Sequence, residues 1–344
     1  MSTSSTAQAA KLLLLALMAH VAIALHASDT LTVTFTGDVL LDRGVRQAIE
    51  KNGGDTHFLF TSEIDSLFKA SDVVIANLEC PATKIEAPVY KKFIFRGEPE
   101  WLATLKQHGI THLNLANNHS IDQGREGLVD TRDNIVKAGM LPLGAGDNME
   151  QALQPLLIAT HPRHVYVIAS LRLALENTPY LPSQPSVSQE DFDKLLARVH
   201  RLKRDDPGCC VIVSLHWGRE HVLEPSVQQV IQAHQLIDAG ADCLVCHHTH
   251  TMQSVEQYRG RYIYYSIGNF IFDQKRDINA RACVVSLKIT PTTVDATTTP
   301  IYIHNCTPHI INTSTPNPMI NTQLLKDLFE NKYNKNYSQV KVYS

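Results

Sequence analysis

The chain has 344 residues, of which 44% are hydrophobic and 19% are charged, a composition typical of a globular protein with a sizeable core. Its 31 basic and 34 acidic residues give a net charge of −3, so the composition indicates no electrostatic attraction to nucleic acid. The length allows either one large domain or two of ordinary size.

Residues 1–28 have the pattern of a secretory signal peptide. Lys11 precedes an apolar run at 12–25, and the small residues Ala27 and Ser28 follow it. A run of about 14 residues is short for a membrane span, so a cleaved signal is favoured over a signal anchor. We therefore expect an exported protein, in the periplasm or at the cell surface.

The seven cysteines predict buried thiols rather than a disulfide framework, because their number is odd and several lie in strand-like runs. Cys243 and Cys246 have the spacing of a redox or zinc pair. They flank two apolar residues in a strand-like run, so burial as small hydrophobic side chains is the favoured interpretation.

Between residues 30 and 290, short apolar runs alternate with segments of helical periodicity, which predicts an α/β fold. The first run alternates like a half-buried strand, and most of the others are continuously apolar, as in buried strands. The strands predicted in this way are Leu31–Thr36, Asp72–Ala76, Thr111–Leu115, Val165–Ser170, Val211–Leu215, Cys243–Cys246, Tyr262–Ile267 and Ala282–Ile289.

Helices are predicted between these strands. Gly127–Ala138 has an apolar face and ends at Gly139, which suits a left-handed C-terminal cap. A second helix is predicted near residues 190–204, after an irregular proline-containing loop. Pro225 opens the third helix, Ser226–Ala239, and the apolar face predicted for it comprises Val227, Val230, Ile231, His234 and Ile237.

Residues 29–290 are predicted to form one α/β domain. After Pro291 the composition shifts to Thr, Pro and Asn, which favours a peripheral extension of a sheet over an independent domain. This extension and tail, residues 291–344, is predicted to contain a strand at Ile301–His304 and a polar helix near residues 321–331.

Polar clusters follow six of the apolar runs. In open α/β sheets, ligands bind in the crevice outside the carboxyl ends of the strands, so these clusters predict one site assembled from most of the chain. The candidate residues are Asp38, Asn77, Glu79, Asn118, His119, His216, Trp217, Glu220, His248, His250 and Asn269.

Each cluster also has a structural interpretation when it is taken alone. Asp38 follows a glycine, which is typical of a turn, and Asn77 with Glu79 is typical of a strand end. Asn118 and its neighbours tolerate the backbone angles of a turn, and Asn269 fits a structural turn as well as a pocket. Their joint occurrence after successive strands favours a functional site.

Six of the candidates form a mixed oxygen and nitrogen donor set that suits Mn, Fe or Zn better than Ca or Mg. Six ligands exceed the three or four that one catalytic zinc uses, so the set predicts two divalent ions that share a carboxylate. His119 is the candidate for donating a proton or stabilising developing charge. The predicted ligands are Asp38, Glu79, Asn118, His216, His248 and His250.

The ordered motifs resemble the CapA family of poly-γ-glutamate capsule synthesis proteins, a branch of the calcineurin-like metallophosphoesterase superfamily. The resemblance covers about residues 31–290. It is carried by GDVLLDRGV, ANLECPAT, LANNHSIDQGREGLVDT, VSLHWGRE, AHQLIDAGADCLVCHHTH and YSIGNFIFD.

This resemblance implies a four-layer α/β/β/α sandwich of two mixed sheets with a two-metal site at the strand ends. It places Glu79 where phosphoesterases carry their bridging aspartate. Leu40 stands where they often carry a ligand histidine, which removes one usual ligand of the first ion, and Cys246 replaces a usual glycine.

The leading hypothesis is an exported metal-dependent hydrolase of the CapA type that acts on an anionic surface polymer, in association with a membrane-bound capsule synthesis complex. The rival is a non-catalytic polymer-binding or export subunit. A third hypothesis is a metallophosphodiesterase of small substrates. Lys91, Lys92 and Arg96 are possible contacts for an anionic substrate, although a solvated charged face is the favoured interpretation.

Overall fold

A computed structural model describes residues 29–311. The predicted signal peptide and the predicted helix near residues 321–331 lie outside the described residues. Within residues 29–311, no helix has both the length and the apolar character needed to cross a membrane.

Strands and helices alternate along most of the described chain. The strands are β1 (Leu31–Val39), β2 (Val73–Leu78), β3 (His112–Asn114), β4 (Leu141–Leu143), β5 (Ala145–Gly146), β6 (Leu156–Ala159), β7 (Val165–Leu171), β8 (Ser186–Val187), β9 (Cys210–His216), β10 (Cys243–Val245), β11 (Val255–Tyr258), β12 (Arg261–Tyr264), β13 (Asn269–Ile271), β14 (Arg281–Ile289), β15 (Val294–His304) and β16 (Thr307–Ile310). The helices are α1 (Arg43–Lys51), α2 (Ser62–Lys69), α3 (Leu102–Gln107), α4 (Gly124–Lys137), α5 (Met149–Ala152), α6 (Phe192–Asp205), α7 (Val227–Asp238) and α8 (Asp277–Ala280).

The first large sheet is mixed and has the order β16-β15-β14-β1-β2-β3-β4, with β13 paired to the end of β1. Strands β1 to β4 are parallel to one another, whereas β14, β15 and β16 form antiparallel pairs. The parallel half therefore directs the ends of β1 and β2 to one edge of the sheet, which is where the first polar clusters lie.

The second large sheet is also mixed and has the order β11-β12-β10-β9-β7-β6. Its centre is parallel, and the outer strands β6 and β11 are antiparallel to their neighbours. The ends of β9 and β10 lie side by side, as the isolated bridge between His216 and His247 shows.

The two sheets pack face to face, and helices cover their outer faces. The apolar layer between the sheets includes Phe35 and Ile75 from the first sheet and Ile212, Val245 and Tyr264 from the second. On the outer face of the first sheet lie Val45, Ile49, Ile64, Leu128 and Ile135 from helices, and on the outer face of the second lie Leu195, Val199, Ala233 and Leu236. The predicted α/β/β/α sandwich is therefore confirmed.

Helix α7 forms where it was predicted, but its apolar face is only partly as predicted: Ile237 is buried and Val230 packs against the core, whereas two other predicted residues are exposed. Val227 is 69% exposed and Ile231 is 43% exposed, whereas the buried residues are Gln229, Ala233, Leu236 and Ile237. A capping box in which Ser226 and Gln229 exchange hydrogen bonds directs Gln229 into the protein and thereby sets the rotation of the helix. The positions of the apolar residues alone therefore do not predict which face of α7 is buried.

The remaining predictions concern the cysteines and the chain beyond residue 290. All seven cysteines are free, and six of them are buried, which confirms the prediction of buried thiols. Strands β15 and β16 add antiparallel edges to the first sheet.

Candidate metal centre

The registers of the strands bring the first polar residues together. In the first sheet, Asp38 lies opposite Asn77 on β2 and opposite Asn269 on β13. Glu79 follows β2 directly, and its backbone N–H donates to the carbonyl of Val39 at 2.9 Å. These side chains therefore lie at one corner of the first sheet, facing the end of the second.

Two groups of buried donors meet at this corner. One consists of Asp38, Glu79 and His250, and the other of Glu79, His216 and His248. Within each group the candidate ligand atoms all lie within 4.8 Å of one another. Glu79 belongs to both, so its carboxylate would be a shared ligand if each group held an ion.

Three carboxylate oxygens in these groups have no hydrogen-bond partner among the described residues: Asp38 Oδ2, Glu79 Oε1 and Glu79 Oε2. Both side chains are fully buried. The nearest ring nitrogens are His216 Nε2, 3.4 Å from Glu79 Oε1, and His250 Nδ1, 3.4 Å from Asp38 Oδ2. Burying a carboxylate without a partner costs several kcal/mol. A divalent cation would offset that cost, so the donor set fits a metal.

The electrostatics of the cluster favour positive charge between the carboxylates. Burial and the neighbouring Asp38 raise the pKa of Glu79 well above its usual value. Burial opposes protonation of His250, but Glu79 and Asp38 outweigh it and raise the pKa of His250 to about 9. Burial, reinforced by His248, lowers the pKa of His216 far below the usual value, which keeps that imidazole neutral and suited to bind a cation.

Three amide side chains orient the donors. Asn77 Nδ2 donates to Asp38 Oδ1 at 2.8 Å, and His216 Nε2 lies 2.8 Å from Asn118 Oδ1. Asn269 Oδ1 lies 2.9 Å from His250 Nδ1. Asn118 thus adjoins the second donor group, as expected for a ligand. Asn77 and Asn269, predicted to contact substrate, are fully buried against Asp38 and His250, where they orient the donors.

His248 and His250 converge through a turn, and the expectation of an extended backbone is wrong. Strand β10 ends at Val245, and the φ angles of His248 and His250 are 96° and 53°. Such left-handed geometry is unfavourable for residues other than glycine and tends to occur at functional sites. His247 Nε2 instead lies 3.1 Å from the carbonyl oxygen of Thr36, to which it can donate.

His119 lies beside the donor groups and is held by a buried acid. Its Nδ1 lies 2.8 Å from Asp122 Oδ2, and its ring packs against Phe95 with centroids 4.2 Å apart. Burial lowers the pKa of His119 from its usual value, and the hydrogen bond to Asp122 partly opposes this. A bond through Nδ1 leaves Nε2 as the nitrogen that can transfer a proton.

Sequence reasoning missed the roles of Asp122 and Lys91. The signal for Asp122 was its position three residues after His119 in a polar turn. Lys91 was expected on a solvated face, and this is wrong, because its side chain is only 4% exposed and its Nζ lies 2.5 Å from Asp122 Oδ1. The same nitrogen donates to the carbonyl of Asn118 at 2.8 Å.

Trp217 and Glu220, predicted to contact substrate, follow the donor His216 in the chain. Trp217 is buried, stacks on Tyr265 and donates from Nε1 to the Tyr265 carbonyl at 3.0 Å. Glu220 is exposed, and its carboxylate lies 3.8 Å from His221.

Leu40 is fully buried in the outer apolar core of the first sheet. An apolar side chain at this position supplies no ligand. The first donor group therefore has the composition Asp38, Glu79 and His250, with Asn269 beside the histidine.

The chain is similar in sequence to proteins of bacterial capsule synthesis. Residues 32–274 match the sequence profile of the family described as "Bacterial capsule synthesis protein PGA_cap". The matched range contains every residue of both donor groups, together with His119 and Asp122.

Individual relatives agree with this profile. The chain is 32% identical over 296 residues to "PGA biosynthesis protein CapA" of Bacillus subtilis, covering 82% of this chain and 74% of the relative. It is 31% identical over 253 residues to "Capsule biosynthesis protein CapA" of Bacillus anthracis, covering 72% of this chain and 61% of the relative. A Mycobacterium tuberculosis protein named "Probable polyglutamine synthesis accessory protein" is 30% identical over 291 residues, 71% of this chain and 75% of that protein.

Two solved structures align with the chain at low sequence identity. NAD nucleotidase of Haemophilus influenzae aligns at 12% identity with a TM-score of 0.49, covering 89% of this chain and 56% of that chain. A hypothetical protein from Thermus thermophilus aligns at 13% identity with a TM-score of 0.47, covering 78% of this chain and 99% of that chain.

Proposed function

Because the chain belongs to the family of bacterial capsule synthesis proteins, PGA_cap, we propose that its buried cluster is a two-metal centre of a hydrolase that acts on an anionic capsule polymer. The observation that carries this proposal is the position of Glu79. Its carboxylate is fully buried, neither of its oxygens has a hydrogen-bond partner among the described residues, and it belongs to both donor groups.

In this proposal, each of the two donor groups would hold one ion. Asp38, Glu79 and His250 would hold the first, and Glu79, His216 and His248 the second, with Asn118 beside it. The mixed carboxylate, amide and imidazole set favours Mn, Fe or Zn. When bound, the ions would supply the positive charge that polarises a phosphoryl or carbonyl group and lowers the pKa of water.

His119 is the group of this chain best suited to move a proton. Asp122 holds its Nδ1, so the ring has one orientation, and Lys91 holds Asp122 in turn. Burial lowers the pKa of His119, which makes its protonated form a stronger acid. We therefore assign to His119 protonation of the leaving group.

The names of the relatives support a biological setting for this chain. The names of the Bacillus subtilis and Mycobacterium tuberculosis proteins refer to PGA biosynthesis and to polyglutamine synthesis. We propose that this chain is likewise an accessory protein of polyglutamate capsule synthesis, exported by its N-terminal signal and associated with a membrane-bound synthesis complex. Its substrate would then be the polymer itself or a phosphoester.

A second candidate function is that of a subunit that binds the polymer without cleaving it. Leu40 favours it, because a buried leucine stands where related phosphoesterases often carry a metal ligand, which leaves the first donor group with fewer ligands. Both candidate functions require bound metal, and they differ in whether the protein cleaves its ligand.

Metal content and turnover, measured together, test the proposal. Purified protein would be analysed for metals and assayed against an aryl phosphate diester and γ-linked polyglutamate, as wild type, as His119→Asn and as the control His164→Asn at a half-exposed position. The enzyme proposal expects bound metal and turnover that falls at least 100-fold only in His119→Asn. Metal without turnover in any of them would establish the binding subunit, and absence of metal would overturn both.

A further inference from the structure

Two loops near the start of helix α4 expose large apolar side chains. Tyr90 in the first loop is 88% exposed, and Tyr180 in the second is 59% exposed. Single exposed apolar residues are common on soluble proteins, whereas a group of them on adjoining loops marks an interaction surface. We call this group the aromatic patch. It comprises Tyr90, Lys92, Phe93, Ile94, Tyr180 and Leu181, all of which are exposed.

Hydrogen bonds hold the two loops next to each other. Asn177 Nδ2 in the second loop donates to the backbone carbonyl of Tyr90 in the first. Arg125, in the first turn of α4, donates from Nη2 to the backbone carbonyl of Pro179 at 2.7 Å, which ties the second loop to that helix. The exposed side chains of the two loops therefore form one surface.

The backbone of the first loop is fixed by the turn that precedes α4. The N–H of Ala87 donates to Gln123 Oε1 at 3.0 Å, and the N–H of Val89 donates to the carbonyl of Asp122 at 2.9 Å. The buried Lys91 pairs with the side chain of Asp122. A loop that is already ordered loses little conformational freedom when its exposed tip binds. The apolar tip is therefore presented in a fixed position.

The charges of the two loops favour an anionic partner. Residues 87–95 and 177–185 contain no acidic residue, although the whole chain has a net charge of −3. The nearest acidic residues along the chain, Glu86 and Glu176, lie just outside the two loops. Lys92 is exposed, with its Nζ 5.0 Å from the centroid of the neighbouring phenylalanine ring. An anionic surface would thus meet a cation and no carboxylate within these loops.

The combination of side chains in the aromatic patch suits the boundary between water and lipid. Tyrosine rings occupy the level of the head groups, because one end of the ring is apolar and the other is polar. Phenylalanine and aliphatic side chains enter the edge of the acyl chains, and a lysine beside them is attracted to anionic head groups.

We propose that the aromatic patch docks the protein on an anionic lipid surface, with Phe93 and Ile94 in the acyl boundary and Lys92 among the head groups. The first loop also supplies Phe95, which packs on His119, so docking brings the metal centre close to the lipid. None of the contacts that form the patch involves a metal donor. Docking is therefore expected whether or not the centre binds metal or turns over substrate.

Tryptophan reporters in the full chain test this docking. The apolar run at residues 12–25 can itself enter lipid, so the readout has to be local to the loops. Phe93→Trp and Tyr180→Trp would be mixed with vesicles of brominated phosphatidylcholine and phosphatidylglycerol, because bromine quenches a tryptophan that reaches the acyl chains. We expect quenching at least about twofold above that of wild type in both variants. Leu157→Trp, at an exposed position of β6, is the control and should match wild type.

Further variants, made in the Phe93→Trp protein, test the chemistry of the patch. Lys92→Gln should raise the lipid concentration for half-maximal quenching about fivefold, since one lysine near an anionic surface contributes about 1 kcal/mol. Tyr90→Ser should raise it about tenfold, because it removes an exposed ring from the interface. Lys194→Gln, at an exposed position of α6, should change it less than about twofold. Metal content should be the same in all of them.

Three results would overturn the inference. They are the absence of quenching in Phe93→Trp, which would leave a protein as the partner of the patch, equal quenching in Phe93→Trp and Leu157→Trp, and quenching that is as strong with phosphatidylcholine alone. The substituted side chains are all exposed, so each variant is expected to fold and each result is decisive.

Discussion

Lys91 Nζ lies 2.5 Å from Asp122 Oδ1, and both side chains are buried although Tyr90 and Lys92 on either side of the lysine are exposed. Asp122 Oδ2 accepts a hydrogen bond from the Phe95 backbone N–H and also contacts His119 Nδ1. The lysine therefore attaches a surface loop to the acid that orients the proposed proton donor.

Replacing Lys91 by methionine should destabilise the protein strongly, because Asp122 would remain buried without its cation. Removing one partner of a buried pair typically costs about 3–5 kcal/mol. The exposed neighbour provides a matched control, since Lys92→Met removes the same charge and should change the unfolding free energy by less than about 0.5 kcal/mol. Urea denaturation of the three proteins measures the difference, and equal stability of the two variants would contradict the buried ion pair.

Glu79→Gln should remove metal binding from both donor groups, because the amide is a weaker ligand than the carboxylate that they share. Added Mn or Zn should raise the melting temperature of the wild type, since a ligand that binds only the folded state stabilises it. It should not raise that of Glu79→Gln. The exposed Glu50→Gln, on α1, is the control and should behave like wild type; a variant at residue 79 with full metal content would exclude Glu79 as the bridge.

Leu40→Ala should reduce stability and leave metal content unchanged. Leu40 packs in the outer core of the first sheet, and truncation of a buried leucine typically costs about 2–5 kcal/mol. Leu141→Ala at a half-exposed position of β4 is the control, with a much smaller expected loss. Elemental analysis and urea denaturation would measure both quantities, and a parallel loss of metal would show that Leu40 also shapes the centre.

Stability should decrease on acidification through His112, which lies away from the metal centre. Burial, reinforced by Lys106, lowers its pKa from 6.5 to about 4. Between those values the unfolded chain takes up a proton and the folded chain does not, so the contribution is complete above pH 6.5 and is lost as the pH falls toward 4. The shift corresponds to at most about 3 kcal/mol.

His112→Gln should therefore show a flatter dependence of unfolding free energy on pH between 7 and about 4.5 than wild type. His164→Gln, at a half-exposed position, should retain the wild-type slope. Identical slopes in wild type and His112→Gln would exclude the proposed titration.

The strand ends of the sandwich were predictable from the sequence because apolar runs of buried-strand length end in polar residues there. Strands β7 and β9 match their predicted runs within one residue. The convergence of His248 and His250 was also expected, but its geometry was not, since a left-handed turn replaces the extended backbone. The periodicity of apolar residues along the sequence does not predict the φ angles of individual polar residues after a strand.

Other features depend on contacts that are distant in sequence. Lys91 lies in a short basic run that is typical of solvated surface, and its burial depends on Asp122, which lies 31 residues later. The rotation of α7 depends on the cap that Gln229 forms with Ser226, so it could not be read from the apolar residues alone. In both cases a polar contact determines which side chains are buried.

The donors of the metal centre are divided between the two sheets. Asp38 lies near the end of β1 and Glu79 directly after β2 in the first sheet, whereas His216 ends β9 and His248 follows β10 in the second. A folding intermediate with only one sheet formed would present an incomplete ligand set, so high-affinity metal uptake should come after the sheets dock. A bound ion would then join the two halves of the chain and slow their separation, which makes the rate of unfolding sensitive to metal.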